Sequence, residues 1–539
     1  MPLRYSYSAK FGAAIMLALF ANWLFLFHHV GATTGYFALA VIVALVALRP
    51  AIRSNPAAIV AIAIATGLAG MLIEAPSLLA AILCWTALAF AAISPRVTGP
   101  DDVRRWAVRL LLHLFSIPVG PVIDAGRWAR ARRRVGADGR LRLLPLVALP
   151  IAGSLVFLAL FATANPIIAD ALARFDTGLA IDGTFPVRIA FVAMVFALGW
   201  ALLRPFVFVP LGPPHMGGTP MSLPGVSAAS VTLSLVTFNA LFAVQNGLDI
   251  AFLWSGAPLP GKTTMADYAH QGAYPLIATA LLAGLFVLVT MRPGSETAAR
   301  PAIRALVTIW VAQNILLVAS SMLRTFDYID AYSLTRLRIA ALVWMGLVAL
   351  GLMLICLRMW RGKSDRWLIG MNAAAALLVL GACSVVDLGR MAAAWNVRHA
   401  REAGGRGVHL DLCYLNELGS SALLPIVELE GRTRDAALRE KLTWSRNRLM
   451  DEMEPVLTDW RGWTWRDDRR FRTAERLIAE KGLKRQHVGP RQCNGVPFPS
   501  PEPAVASFAE TAPAEVAVPA PPTIARENRA EPLTAEPKR

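Results

Sequence analysis

Charge is what this sequence has least of. Only 17% of its 539 residues are charged, against about 25% in a soluble domain. With 56% hydrophobic residues beside it, that scarcity excludes an ordinary soluble multi-domain chain. Cysteine is also sparse, at five residues. None stands in a CxxC pair, so zinc-ribbon and thioredoxin-like sites are not indicated. There is no HExxH, GxSxG or GxGxxG motif, which removes the usual signatures of zinc-hydrolase, serine-hydrolase and dinucleotide-binding chemistry. Among eight histidines, His28 and His29 are adjacent. Neighbouring side chains diverge by about 100° on a helix, so the pair reads as interfacial. The sequence assigns no catalytic residue, no metal ligand and no cofactor, and it leans away from an enzyme.

The apolar residues are instead gathered into runs of about the 17–25 residues that cross roughly 30 Å of hydrocarbon. Spans are expected at residues 11–27, 35–48, 57–73, 77–93, 144–163, 187–209, 226–254, 272–291, 305–323, 339–357 and 367–386. The first could mimic a signal peptide, but it lacks a small-x-small cleavage site and further spans follow, so it reads as retained. The fold class is therefore all-α, a polytopic bundle of about 11 spans. The formal charge of +17 invites a nucleic-acid reading. The basic residues nevertheless fall between apolar runs, where they set topology, so no nucleic-acid partner is inferred.

Loops alternate in character. Arg49 and Arg53 follow the second run, whereas the third loop offers only Glu74. Basic loops are held in the cytoplasm, so the N-terminus is expected inside and, with eleven spans, the C-terminus outside. Residues 95–143 are dense in arginine. Residues 106–123 within them are apolar but broken by Arg109, Pro118 and Pro121. Read as a span, they would put the arginines on the wrong side. The preferred reading is an amphipathic helix at the cytoplasmic surface, touching anionic lipid.

The domain order is thus residues 1–94, four spans; 95–143, the basic cytoplasmic segment; 144–386, the remaining spans; 387–495, a small helical extracytoplasmic domain; and 496–539, a Pro/Ala/Glu-rich tail expected to be disordered. Cys413 and Cys493 are the cysteines beyond the spans. An outside compartment permits disulfides, and their pairing is the expectation.

The span at 226–254 carries Asn239, Asn246 and Asp249 at helical spacing, and a carboxylate there is costly unless it faces the bundle or water. Tyr268, His270, Arg324, Tyr328, Arg336 and Arg338 gather toward the same outer side. One reading is an outward-facing polar cavity, with Asp249 paired to Arg324 or Arg336. The other is helix-to-helix hydrogen bonding with charges at headgroup level.

The stretches FNALFAVQNGLDIAFLW, YAHQGAYPLIATALLAG and LRTFDYIDAYSLTRLRIAALVWMGLVALGL, with VVDLGRMAAAWNV and LDLCYLNELGSSALLPIV after them, resemble the bacterial integral-membrane family DUF4173, a domain of unknown function. The resemblance covers roughly residues 144–427. It implies a polytopic protein of the bacterial inner membrane and transfers no catalytic residue. Three functions stay open: an envelope sensor or interaction protein using 387–495 for a protein partner, a permease lined by the polar cluster, and a membrane enzyme acting on an envelope lipid with Asp249 or His270 as base. The lipid bilayer is the common partner of all three.

If Cys413 and Cys493 are paired, alkylation of the unreduced, unfolded protein leaves both unmodified and alkylation after reduction labels both; labelling without reductant refutes the bond.

Overall fold

The computed structural model describes residues 7–97, 101–134, 184–206, 227–255, 282, 286, 300–484 and 489–498. The expected spans at 144–163 and nearly all of 272–291 lie outside these residues, as do Tyr268 and His270. The described residues fold as helices, with no strand among them.

The first bundle holds α1 (Tyr7–Phe25), α2 (Thr33–Leu48), α3 (Pro56–Glu74), α4 (Leu78–Ile93) and α6 (Phe185–Leu203). Their starts are written locally. The Asn55 side chain accepts from the Ala58 N–H ahead of Pro56 at the first helical position, and Ser77 accepts from Ala80. Helices pack closely in lipid through small residues. Accordingly Ala58, Ala61, Ala65 and Ala69 form a buried stripe on α3, facing Ala80, Cys84 and Leu88 on α4. At Gly35 on α2 a Cβ would stand 2.5 Å from the Ala69 carbonyl oxygen, so only glycine fits there.

The second bundle holds α7 (Ala228–Leu248), α8 (Pro301–Tyr332), α9 (Arg336–Arg361) and α10 (Asp365–Val385). Beyond Leu248, α7 continues as a π-helical turn, Asp249–Trp254. Gly362, at φ 59°, closes α9 in the left-handed conformation that glycine adopts without strain. Nine of the described helices are long and apolar enough to cross a membrane, and Thr33–Leu48 is a shorter apolar one. The chain is a multi-pass membrane protein.

Helix α5 (Val103–Arg134) is among those nine by length and composition, yet its contacts run differently. Asp102, just before it, lies 3.8 Å from Arg366 at the start of α10. Trp106 stacks near Phe90, close to the end of α4, with ring centroids 4.2 Å apart. Asp124 accepts from Trp200 and Arg204 at the end of α6. Trp128 stacks on Tyr7 at the start of α1. Along its length α5 therefore meets one and the same end of the first bundle and of α10. The 18 residues from Trp106 to Asp124 cover about 27 Å at 1.5 Å each, so a span would have carried Asp124 to the far end.

The opposite end is covered by α11 (Leu388–His399), α12 (Leu412–Glu417), α13 (Ser420–Glu430), α14 (Ala436–Thr458) and α15 (Trp465–Glu480). They share one buried core, with Leu415, Ala422, Leu423, Ile426, Val427 and Leu442 at its centre, and Ile329, Leu334 and Ile339 of the second bundle belong to that core too. Cys413 and Cys493 are joined by a disulfide, with Cα atoms 4.7 Å apart. On the first bundle the docking is backbone to backbone. The Ala32 N–H donates to the Trp463 carbonyl over 2.7 Å. A Cβ at Gly31 would stand 2.4 Å from the Gly462 carbonyl carbon.

Helix α8 departs from the sequence expectation. The apolar run ends near residue 323, but the helix continues to Tyr332. Its 32 residues make about 48 Å of rod, more than the roughly 30 Å of hydrocarbon. The excess carries RTFDYIDAY up to the helical domain. There the buried Asn396 side chain accepts from the Leu334 N–H at 2.7 Å and donates to the Leu334 carbonyl at 2.9 Å. Asn396→Ala leaves both backbone groups without that partner, at about 1–3 kcal/mol each. The expected outcome is a lowered thermal midpoint and earlier proteolysis of the helical domain than of the spans, read by time-resolved digestion of the full-length protein in detergent.

Candidate functional site

The seam between α7 and α8 brings several of the sequence-selected polar residues together. Asn239 donates to the Leu306 carbonyl at 3.1 Å, and Asn246 to the Gln313 carbonyl at 3.2 Å. Both links join residues 67 apart, so the two helices run parallel in register. Higher up, the Asp249 carboxylate pairs with the Arg324 guanidinium, both almost wholly buried, and Gln245 donates to the same carboxylate oxygen at 3.1 Å. Trp254 closes the seam with a 3.0 Å bond to the Ser320 hydroxyl. Asp249 stands where α7 turns from α to π geometry. Such turns recur at functional sites, and a buried ion pair inside a bundle is costly to keep.

The rest of the sequence-selected cluster lies elsewhere. Tyr328, Arg336 and Arg338 occupy the corner from α8 to α9. Arg338 stacks over the Tyr328 ring at 4.4 Å and donates to the Tyr332 carbonyl at 2.6 Å. The Arg336 N–H donates to the Tyr414 hydroxyl at 2.8 Å. The resemblance-bearing stretch LRTFDYIDAYSLTRLRI is thus the joint between the bundle and the helical domain.

Two cavities open beside that domain. A cleft of about 400 Å³ lies between α11 and α13, bounded by Arg398, Glu402, Glu428, Arg432 and Asp435. Nearby, the buried Glu430 receives a 2.8 Å bond from Thr443 and lies 3.1 Å from the buried Arg446. Burial pushes the Glu430 carboxyl up, opposed by the Thr443 bond and Arg446. The larger cavity, about 780 Å³, lies where the end of α3 meets α11, α13 and α15. Arg390, Arg466, Arg469 and Arg470 line it, with Glu74 and Asp387 as the acids. Arg469 reaches Glu74 at 2.9 Å and Arg466 reaches the same oxygen at 3.5 Å. Arg470 pairs with Asp387 and reaches Asp467 at 3.1 Å. Burial lowers the Arg470 guanidinium to about 10, with Glu74 opposing and Arg336 adding to the fall; it remains charged at neutral pH.

Sequence reasoning noted Glu74 only as the sole acid of its loop and did not connect it to the arginines. Only the basic half was legible, in Trp465–Arg470, WRDDRR, where Arg466, Arg469 and Arg470 fall at helical offsets of three and one. His28 and His29 lie in the α1–α2 connection, with His29 packed against Gly462. Among the described residues no group of His, Cys, Asp and Glu is arranged to hold a metal ion.

A family model described as a domain of unknown function, DUF4153, matches residues 14–429. The number differs from the DUF4173 that the motifs suggested, while the kind of family is the same. No curated protein and no solved structure matches the chain significantly.

If the Asp249–Arg324 pair serves the seam, Asp249→Leu alone leaves the guanidinium buried without its carboxylate and costs about 3–5 kcal/mol. Asp249→Leu with Arg324→Met recovers most of that loss. Thermal midpoints of the two proteins in the same detergent check the order.

Proposed function

The chain belongs to the DUF4153 family, and from that premise we propose that it is a bacterial inner-membrane protein that senses or engages an envelope partner through its helical C-terminal domain. One observation carries the reading: α5, which bears Arg104, Arg105, Arg109 and Arg127, and the helical domain occupy opposite ends of the spans. Basic segments are held in the cytoplasm. On that rule the α5 end and the N-terminus are cytoplasmic, and the domain projects into the envelope. A disulfide between Cys413 and Cys493 suits that compartment. The exposed apolar stripe Val108, Leu111, Phe115, Val119 and Val122 on α5 suits a helix lying in the headgroup layer, where nearby arginines meet anionic lipid.

Asn239 and Asn246 spend their amide donors on neighbouring carbonyls, which supports tight packing of the α7–α8 seam rather than an open path. A permease is the second reading, favoured by the π-helical turn at a buried carboxylate–guanidinium pair.

The test is orientation followed by flux. In a Cys383→Ser background, Ala403→Cys in the domain reacts with an impermeant maleimide on intact spheroplasts, whereas Ala125→Cys on α5 reacts only after permeabilisation. The reverse pattern removes the reading. Solute flux in proteoliposomes that disappears in Asp249→Asn moves the assignment to transport.

A further inference from the structure

The cavity between α3 and α15 is built as a site with two kinds of wall. One wall is apolar and comes from the end of a span: Gly70, Met71 and Ile73 of α3, continued by Val385 and Leu424. At Gly70 a Cβ would have nothing within 4 Å, so that flank is open. The other wall is cationic, with Arg390, Arg466, Arg469 and Arg470 against Glu74 and Asp387. Counting Asp467, which reaches Arg470 at 3.1 Å, four guanidiniums meet three acids, an excess of one cation. Glu74 is shared by two guanidiniums, one of them at 3.5 Å. Arg466 spends a second donor on the Val385 carbonyl at 3.2 Å. Arg390 is exposed; among the described residues its guanidinium makes no hydrogen bond or ion pair, while its backbone N–H donates to Asp387. Trp465, 56% exposed, stands at the rim.

We propose that this cavity binds the headgroup of an anionic phospholipid, the phosphate on Arg390 and Arg469 and the start of the acyl chains along Gly70 and Met71, whereas a zwitterionic headgroup would bring a further cation to the arginines. Guanidinium forks match phosphate oxygens bidentately. A purely structural docking of the domain requires no spare cation and no open flank. A volume of about 780 Å³ lies within the range of small-molecule sites. The apolar wall belongs to a helix that crosses the membrane, which favours a lipid over a free phosphate compound. The proposal rests on the domain being a binding module and names its ligand class.

The test uses the full-length protein in nanodiscs of mixed phosphatidylglycerol and phosphatidylcholine, with retained lipid read by native mass spectrometry. The wild type is expected to retain phosphatidylglycerol in preference to phosphatidylcholine. Arg390→Ala, which breaks no ion pair, is expected to weaken that retention roughly tenfold, the scale of one charge-assisted contact. Arg390→Lys restores part of it. The thermal midpoint in lipid-free detergent stays unchanged, which separates lost binding from lost folding. Arg127→Ala on α5 serves as the control for lipid held at the other end. Equal retention by the wild type and Arg390→Ala, or equal retention of both lipids, overturns the proposal. Inorganic phosphate or glycerol phosphate binding alone with the same Arg390 dependence overturns the lipid assignment and gives the site to a soluble phosphate. None of these outcomes alters the maleimide pattern, so the lipid site and the envelope-side reading can fail separately.

Discussion

Inside a bilayer there is no water to satisfy a polar group, so each must find its partner within the protein. The α7–α8 seam follows from that constraint. Asn239 and Asn246 reach carbonyls on the neighbouring helix at the same offset of 67 residues. A one-residue slip of either helix would strand both amides. Asp249 and Arg324 extend the same locking into charge. The register that results sets α8 at the height where its last turns leave the membrane.

From there the polar code passes from the seam to the joint. Leu334, Arg336 and Tyr332 sit at the end of a long helix and the start of the next, and each is held by a hydrogen bond to Asn396, Tyr414 or Arg338. Ile329, Leu334 and Ile339 bury themselves in the core of the domain. The second bundle and the domain thus share one apolar interior. The first bundle is attached in another way, through close backbone approach at Gly31 and Gly462 and through the Glu74 bridges to Arg466 and Arg469.

Much of this was legible in the residues. Spans expected at 57–73 and 77–93 are the helices Pro56–Glu74 and Leu78–Ile93, because an apolar run and an Asn-Pro or Ser cap specify the same boundaries. Pairing of Cys413 with Cys493 was anticipated from their position beyond the spans. The length of α8 was not, since hydropathy reports contact with lipid and says nothing of a helix that continues into protein. The arginine-lined cavity was missed for another reason. Its walls come from residues near 70, 390, 424 and 470, and no local pattern announces that a lone glutamate in one loop will meet a basic helix several hundred residues later. The seam was read as two alternatives, and its asparagine bonds belong to the packing one.

The meeting of Gly31 with Gly462 carries a consequence for how such a protein changes over generations. Most contacts can be retuned, since a larger side chain on one surface is offset by a smaller one opposite. A side chain at Gly31 would meet only backbone, that of Arg461 and Gly462, so nothing opposite can be trimmed. A substitution there adds bulk that the facing chain has no means to absorb, so this contact can be abandoned but not adjusted. The spacing between the first bundle and the domain is therefore inherited as a fixed dimension.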